Sequence, residues 1–139
     1  MKHFKWCIDS KNFIFNITPE NGANFSDKLS TKEFISQVCQ QIDFYSDTYS
    51  LSLLQSGSVP HCHAHDPKKP ESEPYNKLFQ RLNTKLGEQE IFIEPKDILQ
   101  LGLDNFRKAY RCYGYVINNE FFLFYLDPYH KIYPKSKNK

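Results

Sequence analysis

The fold of this chain is decided by the stretch Arg111-Cys-Tyr-Gly-Tyr-Val-Ile-Asn-Asn-Glu-Phe-Phe-Leu-Phe-Tyr-Leu-Asp127. It holds two runs rich in aromatic and β-branched residues, which favour strands, on either side of Asn118-Asn119. Asparagine tolerates the positive φ angles of a two-residue turn, so the stretch predicts a closing β-hairpin over roughly 108–117 and 120–126. The second strand runs into Asp127-Pro128-Tyr129-His130, which places an acid and a histidine at one edge of the predicted sheet.

Two more strands are predicted at the N-terminus, where residues 3–9 and 12–18 have strand-like alternation and read as an opening hairpin. The fold class we expect is α+β. A small antiparallel sheet, formed by the N-terminal and C-terminal hairpins, packs against two or three helices. The length predicts one domain over residues 1–134, followed by a flexible basic tail at 135–139.

The helices are predicted from apolar residues at helical spacing. Ser30 and Glu33 match a capping box, and an apolar stripe that includes Val38 and Ile42 follows them. A second amphipathic helix is predicted for residues 75–86.

Two short segments are assigned from weaker patterns. Residues 48–54 are either a strand or a continuation of the preceding helix, and the alternation of Tyr49, Leu51 and Leu53 with polar residues favours the strand. Pro95 suits the first position of a helix, which predicts a helix over Pro95–Leu101.

Composition narrows the function classes. A net charge of +2 is too small to argue for nucleic acid by itself. The N-terminus lacks the apolar run of a signal peptide, and no stretch has the ~20 apolar residues of a membrane span. The four cysteines form no CxxC pair, which excludes zinc-ribbon and thioredoxin-type motifs. We expect a cytoplasmic protein with reduced thiols and no membrane partner.

A histidine cluster lies in the long irregular segment 56–74. If that segment is extended, the side chains of His61, His63 and His65 point to one side, as zinc would require. Cys62 would point the other way, so the fourth ligand would have to come from elsewhere. Zinc is therefore one alternative, and an exposed polar loop is the plainer one.

The same histidines suit acid–base chemistry without metal. Cleavage of RNA by its own 2′-hydroxyl needs a base, an acid and a cation for the developing phosphorane charge. His61 or His63 can supply one proton-transfer role and His130 the other, with Arg111 binding the phosphate. Asp127 completes this candidate catalytic set. A structural role for Asp127 and His130 in a strand-end turn is the alternative for that segment.

Candidate nucleic-acid contacts are basic or aromatic residues near these segments. The helix at 75–86 carries a basic stripe, which is otherwise an ordinary solvated face. Tyrosines after the last strand can stack on a nucleotide. The candidates are Lys77, Arg81, Tyr129, Lys131, Tyr133 and Lys135.

The closing hairpin also resembles a known family. Its pattern of Arg111, Gly114, a short turn, an apolar strand, then Asp127 and His130 looks like the C-terminal hairpin of the RelE/ParE-like toxin superfamily. The resemblance covers only about the last 35 residues, in which it implies an arginine phosphate binder and a histidine or tyrosine near the cut site. It further implies metal-free cleavage of mRNA and neutralisation by an antitoxin. The same ending looks like one found in small uncharacterised bacterial proteins.

Two hypotheses of different classes follow. The first is a small cytoplasmic, metal-independent ribonuclease, toxin-like or defence-linked, with RNA and an antitoxin or other protein as partners. The second is a non-enzymatic module that binds protein or nucleic acid, with or without zinc at the histidine loop. Exposed aromatics on residues 121–125 would favour the second.

Overall fold

The computed structural model describes residues 2–15, 31–64, 73–103 and 110–127. The strands are β1 (Lys5–Ile8), β2 (Ile14–Phe15), β3 (His63–Ala64), β4 (Ile98–Leu103), β5 (Tyr110–Ile117) and β6 (Glu120–Asp127). The helices are α1 (Thr31–Thr48), α2 (Leu51–Gln55) and α3 (Glu73–Glu88), and a 3-10 turn (Pro95–Asp97) precedes β4. The predicted α+β class is confirmed, as is a sheet of N- and C-terminal strands packed with helices.

The described strands form one mixed sheet in the order β1-β6-β5-β4-β3, with β2 also pairing β6. The hairpin of β5 and β6 turns at Asn118 and Asn119, whose φ angles of 50° and 63° confirm the predicted turn. Three neighbouring pairs are antiparallel: β3 with β4, β4 with β5, and β5 with β6.

Apolar layers cover both faces of this sheet. On one face, Val38 and Ile42 of α1 and Leu54 of α2 pack against alternate residues of β4, β5 and β6. On the other face, α3 packs its leucine stripe against the intervening residues. β6 lies between the two layers, which explains a strand that is apolar on both sides.

A β-bulge interrupts the central hairpin. Tyr113 pairs with Tyr125 and Gly114 with Leu123, so Phe124 is an extra residue on β6. The ring of Phe121 lies against the backbone of Gly114, where a Cβ atom would overlap it. Glycine is therefore required at this close approach.

The N-terminal strands do not form the predicted opening hairpin. Both β1 and β2 pair with β6 in parallel, and the connection between them leaves the sheet beside the bulge. The Asp9 amide donates to the Leu123 carbonyl at 2.9 Å, which anchors that connection. β1 and β2 thus act as one interrupted edge strand, and the sheet is mixed rather than purely antiparallel.

Two short segments also differ from expectation. The predicted strand over 48–54 is wrong, since Ser50 caps α2 by accepting a hydrogen bond from the Leu53 amide at 3.2 Å. The predicted helix over Pro95–Leu101 is wrong beyond its first turn, because β4 begins at Ile98. Residues 16–18, the Ser30 cap and the tail at 135–139 lie outside the described residues.

Candidate active site at the polar end of the sheet

The sheet face covered by α3 changes character along the strands. Residues directly opposite in register form cross-strand rows, and members of a row share one face. One row is apolar: Ile98, Tyr115 and Phe122. The next is mixed: His63, Gln100, Tyr113 and Tyr125. The last row is Gly102, Arg111 and Asp127, and it carries the charges.

Arg111 reaches from this charged row to the histidine loop. Its Nη2 lies 3.1 Å from Nδ1 of His61, and Nη1 donates to the Tyr110 carbonyl at 2.8 Å. Arg111 is only 4% exposed, whereas His61 is exposed. A cation is thus held beneath an imidazole that faces solvent.

Gly102 lies on β4 directly opposite Arg111 in register, between the histidine loop and Arg111 in the sheet. It has no side chain of its own to place on the face over which the guanidinium extends. The Tyr45 hydroxyl holds the same residue from the other layer, donating to the Gly102 carbonyl at 2.6 Å.

The backbone of His61 is held in an uncommon conformation. Its φ is +64°, in the left-handed region that costs a non-glycine residue free energy. Gln100 Nε2 donates to the His61 carbonyl at 2.9 Å, and the Tyr113 hydroxyl donates to Gln100 Oε1 at 2.8 Å. Gln100 and Tyr113 are buried, so this chain of bonds fixes His61 to the rigid part of the sheet.

The hydrogen-bond partners of His61 and His63 indicate which ring nitrogen carries a proton. A guanidinium can only donate, so His61 Nδ1 accepts and its ring proton sits on Nε2. His63 Nδ1 lies 3.1 Å from the Ala64 carbonyl, which can only accept, so this ring carries its proton on Nδ1. His61 therefore offers an N–H at Nε2, and the acceptor nitrogen of His63 is its Nε2.

Two ionisable side chains of the charged row are buried. Asp127 is fully buried and lies directly opposite Arg111 in register across the hairpin. Within the described part of the chain, Arg111 Nε is the one buried side-chain nitrogen or oxygen without a hydrogen-bond partner. Such an orphan donor is rare and marks a place where an acceptor is expected.

The cysteines next to this site are poor nucleophiles. Cys62 and Cys112 follow His61 and Arg111 in sequence, but both are buried on the opposite face. Burial raises the pKa of the Cys112 thiol well above its usual value, so it stays protonated and unreactive near neutral pH.

Several candidate residues are not brought to this site by the described structure. Lys77 and Arg81 are exposed on α3, on the same side of the sheet but over its apolar part. The other candidates lie outside the described residues: His65, Tyr129, His130, Lys131, Tyr133 and Lys135. Among the residues described, no three His, Cys, Asp or Glu side chains are grouped as metal ligands.

Gln100, Tyr113 and Gly102 were missed by sequence reasoning. The available signal was an isolated glutamine between leucines in Ile98-Leu-Gln-Leu-Gly-Leu103. A polar residue inside an apolar strand must find a buried partner. The signal was lost because this segment was assigned to a helix.

A family model described as "Uncharacterised protein UU032" matches residues 11–139 of the chain. No curated protein and no solved structure matches it significantly. Every helix among the residues that the structure describes is too short or too polar to cross a membrane.

Proposed function

The chain belongs to the Uncharacterised protein UU032 family, and we propose that it is a small, metal-independent ribonuclease. The observation that carries the proposal is the 3.1 Å contact between Arg111 and His61, residues separated by 50 positions in the sequence. A buried cation behind an exposed histidine with a strained backbone is costly to maintain, which favours a functional explanation.

The substrate class follows from the donors at the site. His61 presents Nε2–H to solvent, and the charge of Arg111 lies directly behind it. An N–H backed by a guanidinium suits an anionic oxygen, and it suits a phosphorane better than a phosphodiester because the phosphorane carries more charge. His61 in this tautomer is a hydrogen-bond donor to the phosphoryl group rather than a base.

The proton transfers belong to other residues. His63 Nε2 takes the proton of the 2′-hydroxyl as the 2′-oxygen attacks phosphorus. The P–O5′ bond then breaks, and His130 gives a proton to the departing 5′-oxygen. The products are a 2′,3′-cyclic phosphate and a 5′-hydroxyl end. The role of His130 is taken from its place after Asp127 in the sequence.

Zinc at the histidine loop fits the described geometry less well. The guanidinium of Arg111 already lies against Nδ1 of His61, and a divalent cation bound by the same ring would face a buried positive charge. Metal-free chemistry uses that charge instead of opposing it.

A docking role for the aromatic strand is also less favoured. Phe121, Leu123 and Phe124 are each at most 1% exposed, Tyr125 is 8% exposed, and Phe122 is partly buried against the layer beneath α3. These side chains fill the two core layers within the chain itself, so the strand offers little surface to a partner.

The biological setting is proposed on narrower grounds. A toxin-like or defence-linked role with an antitoxin partner rests on the resemblance of the Arg111–Asp127 hairpin to RelE/ParE-like toxins. A cytoplasmic location rests on the cysteines, since Cys7, Cys39, Cys62 and Cys112 are all reduced thiols.

The test is cleavage of single-stranded RNA by untagged protein in the presence of EDTA. We expect cyclic-phosphate products from the wild type and a loss of about 10²–10⁴-fold in kcat for His63→Ala. His61→Ala should lose about 10²–10³-fold, as for removal of one oxyanion donor.

The matched control is His3→Ala, an exposed histidine beside α1 whose amide donates to the Ser46 carbonyl at 2.7 Å. It should cleave at the wild-type rate. No cleavage by the wild type, or equal rates for His3→Ala and His63→Ala, would refute the proposal.

A further inference from the structure

A second feature on the α3 side of the sheet is a small hollow between α3 and β6. It is lined by Asn12, Leu78, Arg81, Leu82, Lys85 and Phe124, and the space enclosed between these side chains holds no more than about one water molecule. A ligand would therefore lie at its mouth, beside the exposed side chains of Arg81 and Lys85, rather than inside it.

The walls of this hollow are preformed. Phe124, the extra residue of the bulge, is 1% exposed and Asn12 is 5% exposed. Asn12 Nδ2 donates to the Asp9 carboxylate at 2.8 Å, and the Tyr115 hydroxyl donates to the same carboxylate. The loop that carries Asn12 is thus tied to the central strand.

The rim is positive. Arg81 and Lys85 are exposed and stand one helical turn apart, at a spacing where like charges repel. Within the residues that the structure describes, neither one takes part in an ion pair. Among the residues that the structure describes, none of those lining the hollow is acidic. An anionic group between the two cations would relieve their repulsion.

The hollow and the charged row lie on one sheet face. Phe124 packs with α3 on that face, and Asp127 stands three residues further along β6. Three residues of strand span about 10 Å. A single RNA strand that follows a positive groove contacts several nucleotides in succession, so one strand can reach both places.

We infer that this hollow is a phosphate subsite, in which Arg81 and Lys85 hold a backbone phosphate of the RNA away from the bond that is cut. The inference rests on the proposed function for the identity of the ligand.

The experiment measures binding separately from cleavage. The probe is a 12-nucleotide single-stranded RNA, fully 2′-O-methylated so that it cannot be cut, and its Kd is measured over a series of salt concentrations. Arg81→Gln/Lys85→Gln should bind at least about tenfold more weakly at low salt. Its slope of log Kd against log salt should fall by about 0.7, since the two cations neutralise one phosphate and each neutralised single-strand phosphate contributes about 0.7.

A second arm uses cleavable substrates. The double variant should show a raised KM and unchanged kcat on the unmodified 12-nucleotide RNA, and wild-type kinetics on a dinucleotide too short to reach the hollow. The control is Lys2→Gln, which removes a cation that pairs with Asp43 and Asp47 on α1, in the layer on the opposite face. It should leave the salt slope unchanged.

The outcomes separate the two proposals. If the wild type cleaves RNA but the double variant keeps its affinity and slope, the subsite is overturned and the ribonuclease stands. If the slope falls as expected but the wild type does not cleave, the ribonuclease is refuted and the RNA subsite stands. If the double variant loses only the binding of inorganic phosphate and keeps RNA, the hollow is a site for free phosphate and the inference is overturned.

Discussion

The two ends of the α3-covered sheet face differ, although the same three strands build both. At one end, Ile98, Tyr115 and Phe122 form an apolar row beneath the leucines of α3. At the other end, Gly102, Arg111 and Asp127 occupy equivalent positions with a glycine and two buried ionisable side chains. Backbone pairing is the same, so the difference lies entirely in the side chains.

The opposite face makes the contrast clearer. There the rows are apolar along the length of β4, with Leu99, Leu101 and Leu103 all buried among residues from α1 and α2. A chain that can fill one face with leucine can fill both. The buried charges at one end of the other face therefore cost stability that an apolar row would supply. Such a local cost is expected at a functional site.

The largest expected effect is at the apolar end. Phe124→Ala removes a ring that is 1% exposed in the core beneath α3, and the free energy of unfolding should fall by about 3–5 kcal/mol. The measurement is urea denaturation followed by circular dichroism.

The polar end gives the matched contrast. In Gln100→Met/Tyr113→Phe both partners of a 2.8 Å buried hydrogen bond become apolar, which is nearly neutral for stability. The unfolding free energy should change by less than about 1 kcal/mol, while RNA cleavage falls because His61 loses its support. A loss as large as that of Phe124→Ala would show that both ends serve stability equally.

The next prediction concerns the pH dependence of the unfolding free energy, which Cys112 influences from the opposite, apolar face. Burial raises the pKa of Cys112 well above the ordinary thiol value of 9.0, so the folded state keeps a proton that the unfolded state releases. Stability is therefore intact below about pH 9 and falls above it, by up to about 1.4 kcal/mol per pH unit.

Denaturation from pH 8 to 10.5 tests this slope. Cys112→Ala should flatten it, whereas Cys7→Ala should alter it less because Cys7 is exposed. An unchanged slope in Cys112→Ala would mean that other groups set the alkaline limit.

Local signals in the sequence predicted the helices and the closing hairpin. α1 and α3 have apolar residues at helical spacing, and Asn118-Asn119 stands between two strand-forming runs. β4 was missed because Pro95 suits the start of a helix. In the structure it starts only a single 3-10 turn, in which Glu94 and Asp97 form a reciprocal cap. The parallel pairing of β1 and β2 with β6 depends on tertiary contacts that no local pattern encodes.

The candidate site was predictable in its residue types and not in its geometry. His61, His63 and Arg111 stand out because imidazole and guanidinium suit phosphate chemistry. The roles of Gly102 and Gln100 depend on the alignment of β3, β4 and β5, which bring residues 61, 100, 102 and 111 together. Gly102 gives no signal in the sequence, because what it contributes opposite Arg111 is the absence of a side chain.

The sharpest test of the comparison is a substitution at His61. Its φ of +64° is a conformation that glycine adopts without strain. His61→Gly should therefore raise the free energy of unfolding by about 1 kcal/mol while it abolishes RNA cleavage. Glu90, with φ +61° just after α3, is a matched control. Glu90→Gly should be similarly stabilising and leave cleavage unchanged. If His61→Gly destabilises the protein instead, the imidazole supports the fold, and the polar end is structural like the apolar one.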